Sequence, residues 1–326
     1  MVRAAQDARA RGIGMKGKWR RWSWFALAGI LCLAMATAAS AQVVVTVDGD
    51  TAYATISLTD GNGVTYDADV TIVFDTPQHL TPQNLNLTAE LVNPADLQDR
   101  LAGTCLPQLL LPPLCPSVDP AFPVMITVEP INLPSIYTNS FDLGEGHSVD
   151  LSFLNTYQFD VHTHDLVYQD GSPYRLFKAP IDDVFHDVTN DVMPGSVRVR
   201  GRGGEFSQFI VVTDPRYDNA LDRLSVTMGK ITALNLRILS AALSDGLRLD
   251  LLDLLAQVDA LLLVDLVGAI GTLDELIGVI DQNAGTNIAN VWTAERNLIN
   301  DAGEMDELAD TLRFSMTRML SGSANP

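Results

Sequence analysis

The spacing of apolar positions changes once along the chain. From Val43 to Thr213 apolar and polar residues mostly alternate, which is typical of strands with one buried face. After Arg216 apolar residues recur every three or four positions, which indicates amphipathic helices. The sequence therefore predicts an α+β protein, with an N-terminal antiparallel β-sandwich-like domain over residues 42–215 followed by a C-terminal α-helical bundle over residues 216–321.

Turn residues divide the β region into strands. Turns at residues 48–50 and 60–63 contain Asp, Asn and Gly and separate three β-rich runs, so a three-stranded meander is expected at the start. Two glycines at 203–204 lie between two further β-rich runs. They predict a hairpin that joins residues 196–202 to residues 205–213.

Start and stop signals divide the helical region. An apolar stripe over residues 221–239 predicts a first helix, and the glycine in residues 244–246 is expected to end it. Residues 247–268 predict a second helix. Thr272 and the Glu three residues later are spaced as the capping box of a third helix, and a last helical stretch is expected to end near Leu320.

The first 41 residues have the pattern of an export signal. Basic residues precede an apolar run from Trp24 to Ala39, and the sequence Ala-Ser-Ala that ends at Ala41 is a small-x-small site for signal peptidase. We expect a signal peptide over residues 1–41, cleavage near Ala41 and a secreted or periplasmic protein. No second long uncharged run follows, so no transmembrane span is expected in the mature chain.

The charge of the chain limits its partners. The formal charge is −19, and the chain without residues 1–41 carries −25, because that segment holds seven basic residues and one acidic residue. This acid excess excludes nucleic acid as a partner, since phosphate contacts need clustered Lys and Arg. A protein or glycan partner stays open. Residues 322–326 are expected to form a disordered tail.

Cys105 and Cys115 are the two cysteines that follow the leader, and an oxidising compartment predicts a disulfide between them. Five leucines and three prolines lie between them. This loop fits either an exposed tip that binds a partner or a plug between sheet and helices. Burial is the favoured interpretation, because exposed apolar patches are uncommon on monomers.

Asp160, His162 and His164 form the pattern closest to a catalytic or metal site. Alternate side chains of a strand share one face, so two imidazoles and a carboxylate can reach one metal ion. The five residues resemble the first metal motif of the amidohydrolase family, but that family needs later metal-binding His and Asp, and only His186 follows. The chain is therefore not assigned to that family. His147 or His186 would have to supply a third imidazole.

No cofactor or metal is favoured from the sequence, because polar strand faces with two histidines are more common than metal sites. Asp67 and Asp69 offer oxygens for calcium, but the twelve-residue calcium-loop pattern fails after residue 60. The acidic turn at residues 60–63 is explained by turn chemistry.

Arg198, Arg200 and Arg202 alternate on one predicted strand face. They fit an anion-docking face for a carboxylate or a phosphate. They also fit a set of cations neutralised by acidic neighbours such as Glu205 or the pair Asp182 and Asp183. Neutralisation is the favoured interpretation, because acidic residues are so numerous.

The sequence lacks the common nucleophile, zinc-protease, phosphate-loop and haem-attachment motifs, so an enzyme of a common nucleophilic type is disfavoured. We expect an exported, bacterial-type envelope or extracellular protein that acts as a non-enzymatic binding or structural module. The alternative is a metal-dependent hydrolase that uses Asp160, His162 and His164.

Overall fold

The computed structural model describes residues 40–131, 150–168, 172–296 and 298–321. The predicted signal peptide as far as residue 39, the candidate ligand His147 and the predicted tail lie outside the described residues. Strands dominate the described chain before the long helices begin, which confirms the predicted α+β class.

The elements follow one another along the chain as two sets. The strands are β1 Ser40–Asp48, β2 Thr51–Thr59, β3 Thr65–Phe74, β4 Leu87–Leu91, β5 Ser117–Val118, β6 Val124–Val128, β7 Ser152–Leu154, β8 Tyr157–Val167, β9 Tyr174–Ala179, β10 His186–Asp187, β11 Thr189–Met193, β12 Ser196–Gly203, β13 Gln208–Thr213 and β14 Val291–Thr293. The α-helices are α1 Pro82–Leu85, α2 Gln98–Leu101, α3 Ala220–Ser240, α4 Asp245–Leu261, α5 Leu266–Asn283 and α6 Asp301–Ser321.

Two antiparallel sheets share one apolar core. The first sheet has the order β1-β2-β3-β8-β12-β11, and the second has the order β10-β9-β13-β6-β4, with β5 beside β13. Phe159 of the first sheet stacks on Phe209 of the second, with ring centroids 3.9 Å apart. Both inner faces contribute to the same buried cluster, as in a β-sandwich. The predicted meander is confirmed as β1, β2 and β3.

The predicted hairpin across Gly203 and Gly204 is wrong. The strand before the glycines, β12, lies in the first sheet, and the strand after them, β13, lies in the second. A Cβ on Gly203 would lie 2.2 Å from the hydroxyl of Tyr157, and one on Gly204 would lie 2.4 Å from the backbone of Gly303 in α6. The two glycines therefore allow a close approach of Tyr157 and α6 where the chain crosses between sheets.

The long helices α3 to α6 have an apolar core of their own, and α6 also packs against β11 and β12. Two predicted boundaries are wrong. Ser244 accepts a hydrogen bond from the N–H of Leu247 at 3.3 Å, so residues 244–246 begin α4 instead of ending α3. Asp265 caps α5 well before Thr272, by accepting from the N–H of Gly268 at 2.9 Å. None of the described helices is both long enough and apolar enough to cross a bilayer.

The leucine-rich loop is exposed, so the prediction of its burial is wrong. Leu109, Leu110 and Leu111 are 97%, 91% and 69% exposed. The Sγ atoms of Cys105 and Cys115 lie 2.02 Å apart, which is compatible with the predicted disulfide. The loop is closed over a separation of 10 residues, so its middle leucines have too little chain to fold back onto the core.

Candidate functional site

The histidine strand predicted from the sequence is part of β8, but its imidazoles meet a different carboxylate. Asp160 accepts hydrogen bonds from Nε and Nη2 of Arg200 at 3.2 and 3.0 Å. Asp69 on β3 lies beside both histidines, with its Oδ2 2.9 Å from His164 Nε2 and 3.7 Å from His162 Nδ1. The structure therefore brings together His162, His164 and Asp69, and it leaves Asp160 with the arginines.

The three candidate anion-docking arginines all lie against acidic side chains. The ion pairs are Arg198 with Asp160 at 3.5 Å, Arg200 with Asp160 and Asp191 at 3.0 and 3.6 Å, and Arg202 with Asp310 at 3.0 Å. The neutralising acids come from β8, β11 and α6, and Glu205 is not among them. An anion that docked on this face would have to compete with these carboxylates.

A cavity of about 500 Å³ lies between the second sheet and helices α3 and α6, beside the start of the disulfide loop. Sites for small organic molecules have volumes of this order. Its titratable lining residues are Lys178, His186, Asp187, Glu205, Arg216, Lys230, Glu304 and Glu307. None of these residues is predicted from the sequence to line a cavity, and His186 is predicted only as a candidate metal ligand.

Lysine has an unusual distribution in this chain. Only two lysines follow residue 18, Lys178 and Lys230, and both are buried in the wall of this cavity. Lys178 lies within the buried strand β9, and Lys230 lies on the inner face of α3, four residues after the buried Val226. A lysine is almost never fully buried without a partner, so each of these needs a carboxylate.

Glu307 on α6 is the partner of Lys178. Its Oε2 accepts hydrogen bonds from Lys178 Nζ and, at 3.1 Å, from the backbone N–H of Gly204, and its Oε1 lies 2.9 Å from His186 Nε2. Burial alone would raise the pKa of Glu307, but Lys178 and His186 outweigh it and lower the pKa to about 2. The ionised carboxylate therefore holds α6 against β9, β10 and the crossover between the sheets.

Asp187 on β10 is the partner of Lys230. Lys230 Nζ donates to Asp187 Oδ2 at 2.7 Å and to the Thr311 hydroxyl at 2.6 Å, and the Tyr217 hydroxyl donates to the same carboxylate oxygen at 3.0 Å. Burial acts to raise the pKa of Asp187, but the Lys230 ammonium lowers it to about 2. Burial lowers the pKa of Lys230 to about 8. A closed polar network thus joins β10, α3 and α6.

Two further carboxylates of the cavity wall, Glu304 and Glu205, have no lysine partner. Glu304 Oε2 lies 2.8 Å from Nε of Arg237. Burial nevertheless raises the pKa of Glu304 to about 7, and the nearby charge of Glu205 acts in the same direction. Within the described chain the carboxylate of Glu205 forms no hydrogen bond or ion pair. The cavity therefore contains an acid that titrates near neutral pH, a common property of functional sites.

The sequence carries a signal for this site that periodicity alone does not interpret. Lys178 interrupts an apolar strand, and Lys230 and Glu307 occupy buried positions of their helices. A charge at a core position conflicts with the local pattern, and such conflicts are expected at functional or ion-paired sites. A charged residue at a position that the pattern predicts to be buried is thus the signal that these three residues share.

The chain matches a protein family over most of its length. A family model described as "Family of unknown function (DUF6689)" matches residues 26–320. No curated protein and no solved structure matches the chain. The matched range includes every described strand of both sheets and every residue named above for the cavity.

Proposed function

The chain belongs to this family of unknown function, and because membership brings no activity with it, we propose a function from the cavity: an exported, non-enzymatic binding protein that holds a small organic cation. The observation that carries the proposal is a cavity of about 500 Å³ whose described wall holds two carboxylates without a lysine partner, Glu205 and Glu304, of which the first raises the pKa of the second. The cavity lies between the second sheet and helices α3 and α6.

The wall of the cavity suits an organic ligand with an apolar body. Apolar surface comes from the side chains of Leu106, Val226, Ala233 and Leu308. Small-molecule sites are mostly apolar, with a few placed polar groups that fix orientation. Here those polar groups are Glu205 and Glu304, which lie close enough for Glu205 to raise the pKa of Glu304.

The charges of the wall favour a cation. The three cations of the wall, Lys178, Lys230 and Arg216, are paired with the carboxylates of Glu307, Asp187 and Asp214. Glu304 is left near Glu205 and holds a proton up to a pH of about 7. A ligand ammonium near these two carboxylates would take the place of that proton, whereas an anionic ligand would meet the unpaired negative charge of Glu205.

Export is the second part of the proposal and is supported by the sequence. The basic leader, the apolar run and the small-x-small site all precede residue 42. A disulfide-compatible pair fits an oxidising compartment. N-terminal sequencing of the protein from cells that produce it should find Gln42 first, and an intact leader in the cytoplasm would contradict export.

Three ligands of one shape and different charge test the cation preference. Phenethylamine, phenethyl alcohol and 3-phenylpropionate are titrated into the mature protein at pH 7.5 by calorimetry. We expect one amine per chain, bound at least about tenfold more tightly than the alcohol, a difference of about 1.4 kcal/mol, and no binding of the carboxylate. Equal affinity for all three, or no binding of the amine, would contradict the proposal.

A matched pair of glycine variants locates the ligand. Gly229 on α3 lines the cavity and Gly271 on α5 does not, and at both positions a Cβ would meet no atom within 4 Å. Gly229→Leu should fill the cavity and abolish amine binding, whereas Gly271→Leu should leave it unchanged. Both helices gain propensity from the change, so both variants should fold. Binding that survives in Gly229→Leu would place the ligand elsewhere.

A further inference from the structure

A second polar cluster lies away from the cavity, on the outer face of the first sheet. It consists of Asp69, His162 and His164, whose neighbours along β3 and β8 point into the sandwich core. We propose that these three side chains bind one divalent transition-metal ion of the zinc class. Two imidazoles and one carboxylate form a ligand set that such ions prefer.

The distances between the ligand atoms suit a shared ion. Tetrahedral zinc with bonds of about 2.0–2.1 Å separates neighbouring ligand atoms by about 3.3 Å. Asp69 Oδ2 lies 2.9 Å from His164 Nε2 and 3.7 Å from His162 Nδ1, and the three residues each offer one ligand atom within 4.8 Å of the other two. Small side-chain rotations therefore suffice to place all three around one ion.

The register of the sheet fixes the three positions. Asp69 lies directly opposite His162 in the antiparallel pair of β3 and β8, and His164 follows on the same face two residues further along β8. Directly opposed residues on one face have their Cβ atoms about 5 Å apart. The ligand positions are thus set by strands that are paired on both sides, and not by mobile loops.

Two of the ligands have oxygen partners that hold them in orientation. His162 Nε2 is in hydrogen-bond contact with the hydroxyl of Ser196 on β12, which leaves Nδ1 directed at Asp69. The hydroxyl of Thr55 donates to Asp69 Oδ1 at 3.2 Å, which leaves Oδ2 for the ion. Metal-binding histidines usually donate their second ring N–H to an oxygen, and ligating carboxylates are themselves hydrogen-bonded.

The surrounding charges are compatible with a cation at this place. The nearest arginine, Arg198, lies 3.5 Å from Asp160 and is neutralised by it. The side chains of His164 and Asp69 are 47% and 45% exposed, so the remaining coordination positions face solvent.

The test is a metal titration of the mature protein made without a histidine tag. Co²⁺, whose visible spectrum reports coordination, is added first and is then displaced by Zn²⁺. We expect one ion per chain, affinity at least about 100-fold lower in His164→Gln and Asp69→Asn, and affinity about tenfold lower in Ser196→Ala. His79→Asn removes an exposed histidine outside the cluster and should leave the affinity unchanged.

These variants change exposed or half-buried side chains, so we expect all of them to fold. Far-UV circular dichroism checks that each variant is folded. Less than a tenth of an equivalent of bound metal would overturn the proposal. Metal binding that is equal in His164→Gln, Asp69→Asn and the unchanged protein would overturn it as well. Neither result bears on amine binding in the cavity, so the two proposals fail independently.

Discussion

Arg318 on α6 is a fully buried cation that forms no ion pair with any residue that the structure describes. Its guanidinium lies 4.5 Å from the centre of the Phe314 ring, and none of its three nitrogens has a hydrogen-bond acceptor among the residues that the structure describes. Burial and the neighbouring Arg175 lower the pKa of Arg318 to about 9. We expect Arg318→Met to raise the free energy of unfolding by about 1–3 kcal/mol, because an uncompensated buried charge is replaced by a side chain of similar length. Urea denaturation measures the change.

Lys230 provides the matched control, because it is a buried cation with a full set of partners. Lys230→Met leaves the Asp187 carboxylate buried and unpaired, so it should lower the free energy of unfolding by about 3–5 kcal/mol. Arg318→Met and Lys230→Met should therefore change the free energy of unfolding in opposite directions. The same sign for both would show that the partners of these cations do not determine their effect on stability.

At the scale of elements, the contact of α6 with the sandwich depends on a glycine. A Cβ on Gly303 would lie 1.9 Å from the backbone oxygen of Asn155, which cannot rotate away. Gly303→Ala should therefore push the start of α6 off the sheet and destabilise the protein by about 2–4 kcal/mol. Gly271→Ala, at an open and exposed position of α5, should stabilise it by about 0.5–1 kcal/mol. Thermal unfolding of both variants checks the pair, and an equal effect would contradict a close approach at Gly303.

Elements with local signals could be predicted from the sequence, and elements set by distant contacts could not. The meander β1 to β3 follows from its own turns and alternation. The sequence around Gly203 and Gly204 predicts a hairpin instead of the observed crossover, because the contacts that require these glycines are made by Tyr157 and Gly303, far along the chain. Residues 244–246 contain both a glycine, which favours a helix stop, and Ser244, which favours a helix start, and the structure shows the start.

The candidate sites likewise combine residues with a local sequence signal and residues that only distant contacts bring together. His162 and His164 were identified from their spacing on one strand, but their carboxylate comes from Asp69, which is 95 residues from His164. The cavity pair of Lys178 and Glu307 is separated by 129 residues and depends on the packing of α6 against β9. Contacts between residues so far apart in the chain are made by the tertiary fold, and the periodicity of a single sequence does not predict them.

At the scale of the whole molecule, buried acids give the stability an unusual dependence on pH. Burial, followed by the charge of Asp281, raises the pKa of Asp306 to about 8, and burial raises that of Glu304 to about 7. Between the ordinary carboxyl range near 4 and these values, the folded protein binds more protons than the unfolded chain. The free energy of unfolding should therefore fall as the pH rises from about 4.5 to about 7.5.

Calorimetric melting temperatures across this pH range test the prediction, with Asp306→Asn as the variant that should flatten the slope. Below about pH 4 stability should fall again, because Asp187 and Glu307 have pKa values near 2 in the folded protein and ordinary values in the unfolded chain. A melting temperature that rises steadily from pH 4.5 to 7.5 would contradict the assignment of protonated buried acids.

Proton release on ligand binding tests most directly whether the cavity exchanges the proton of Glu304 for a cation. Phenethylamine binding is measured at pH 7 by calorimetry in two buffers that differ in ionisation enthalpy. With the pKa of Glu304 at about 7, we expect release of about half a proton per amine bound, and none in Glu304→Gln. Binding without proton release, or the same release in Glu304→Gln, would contradict it.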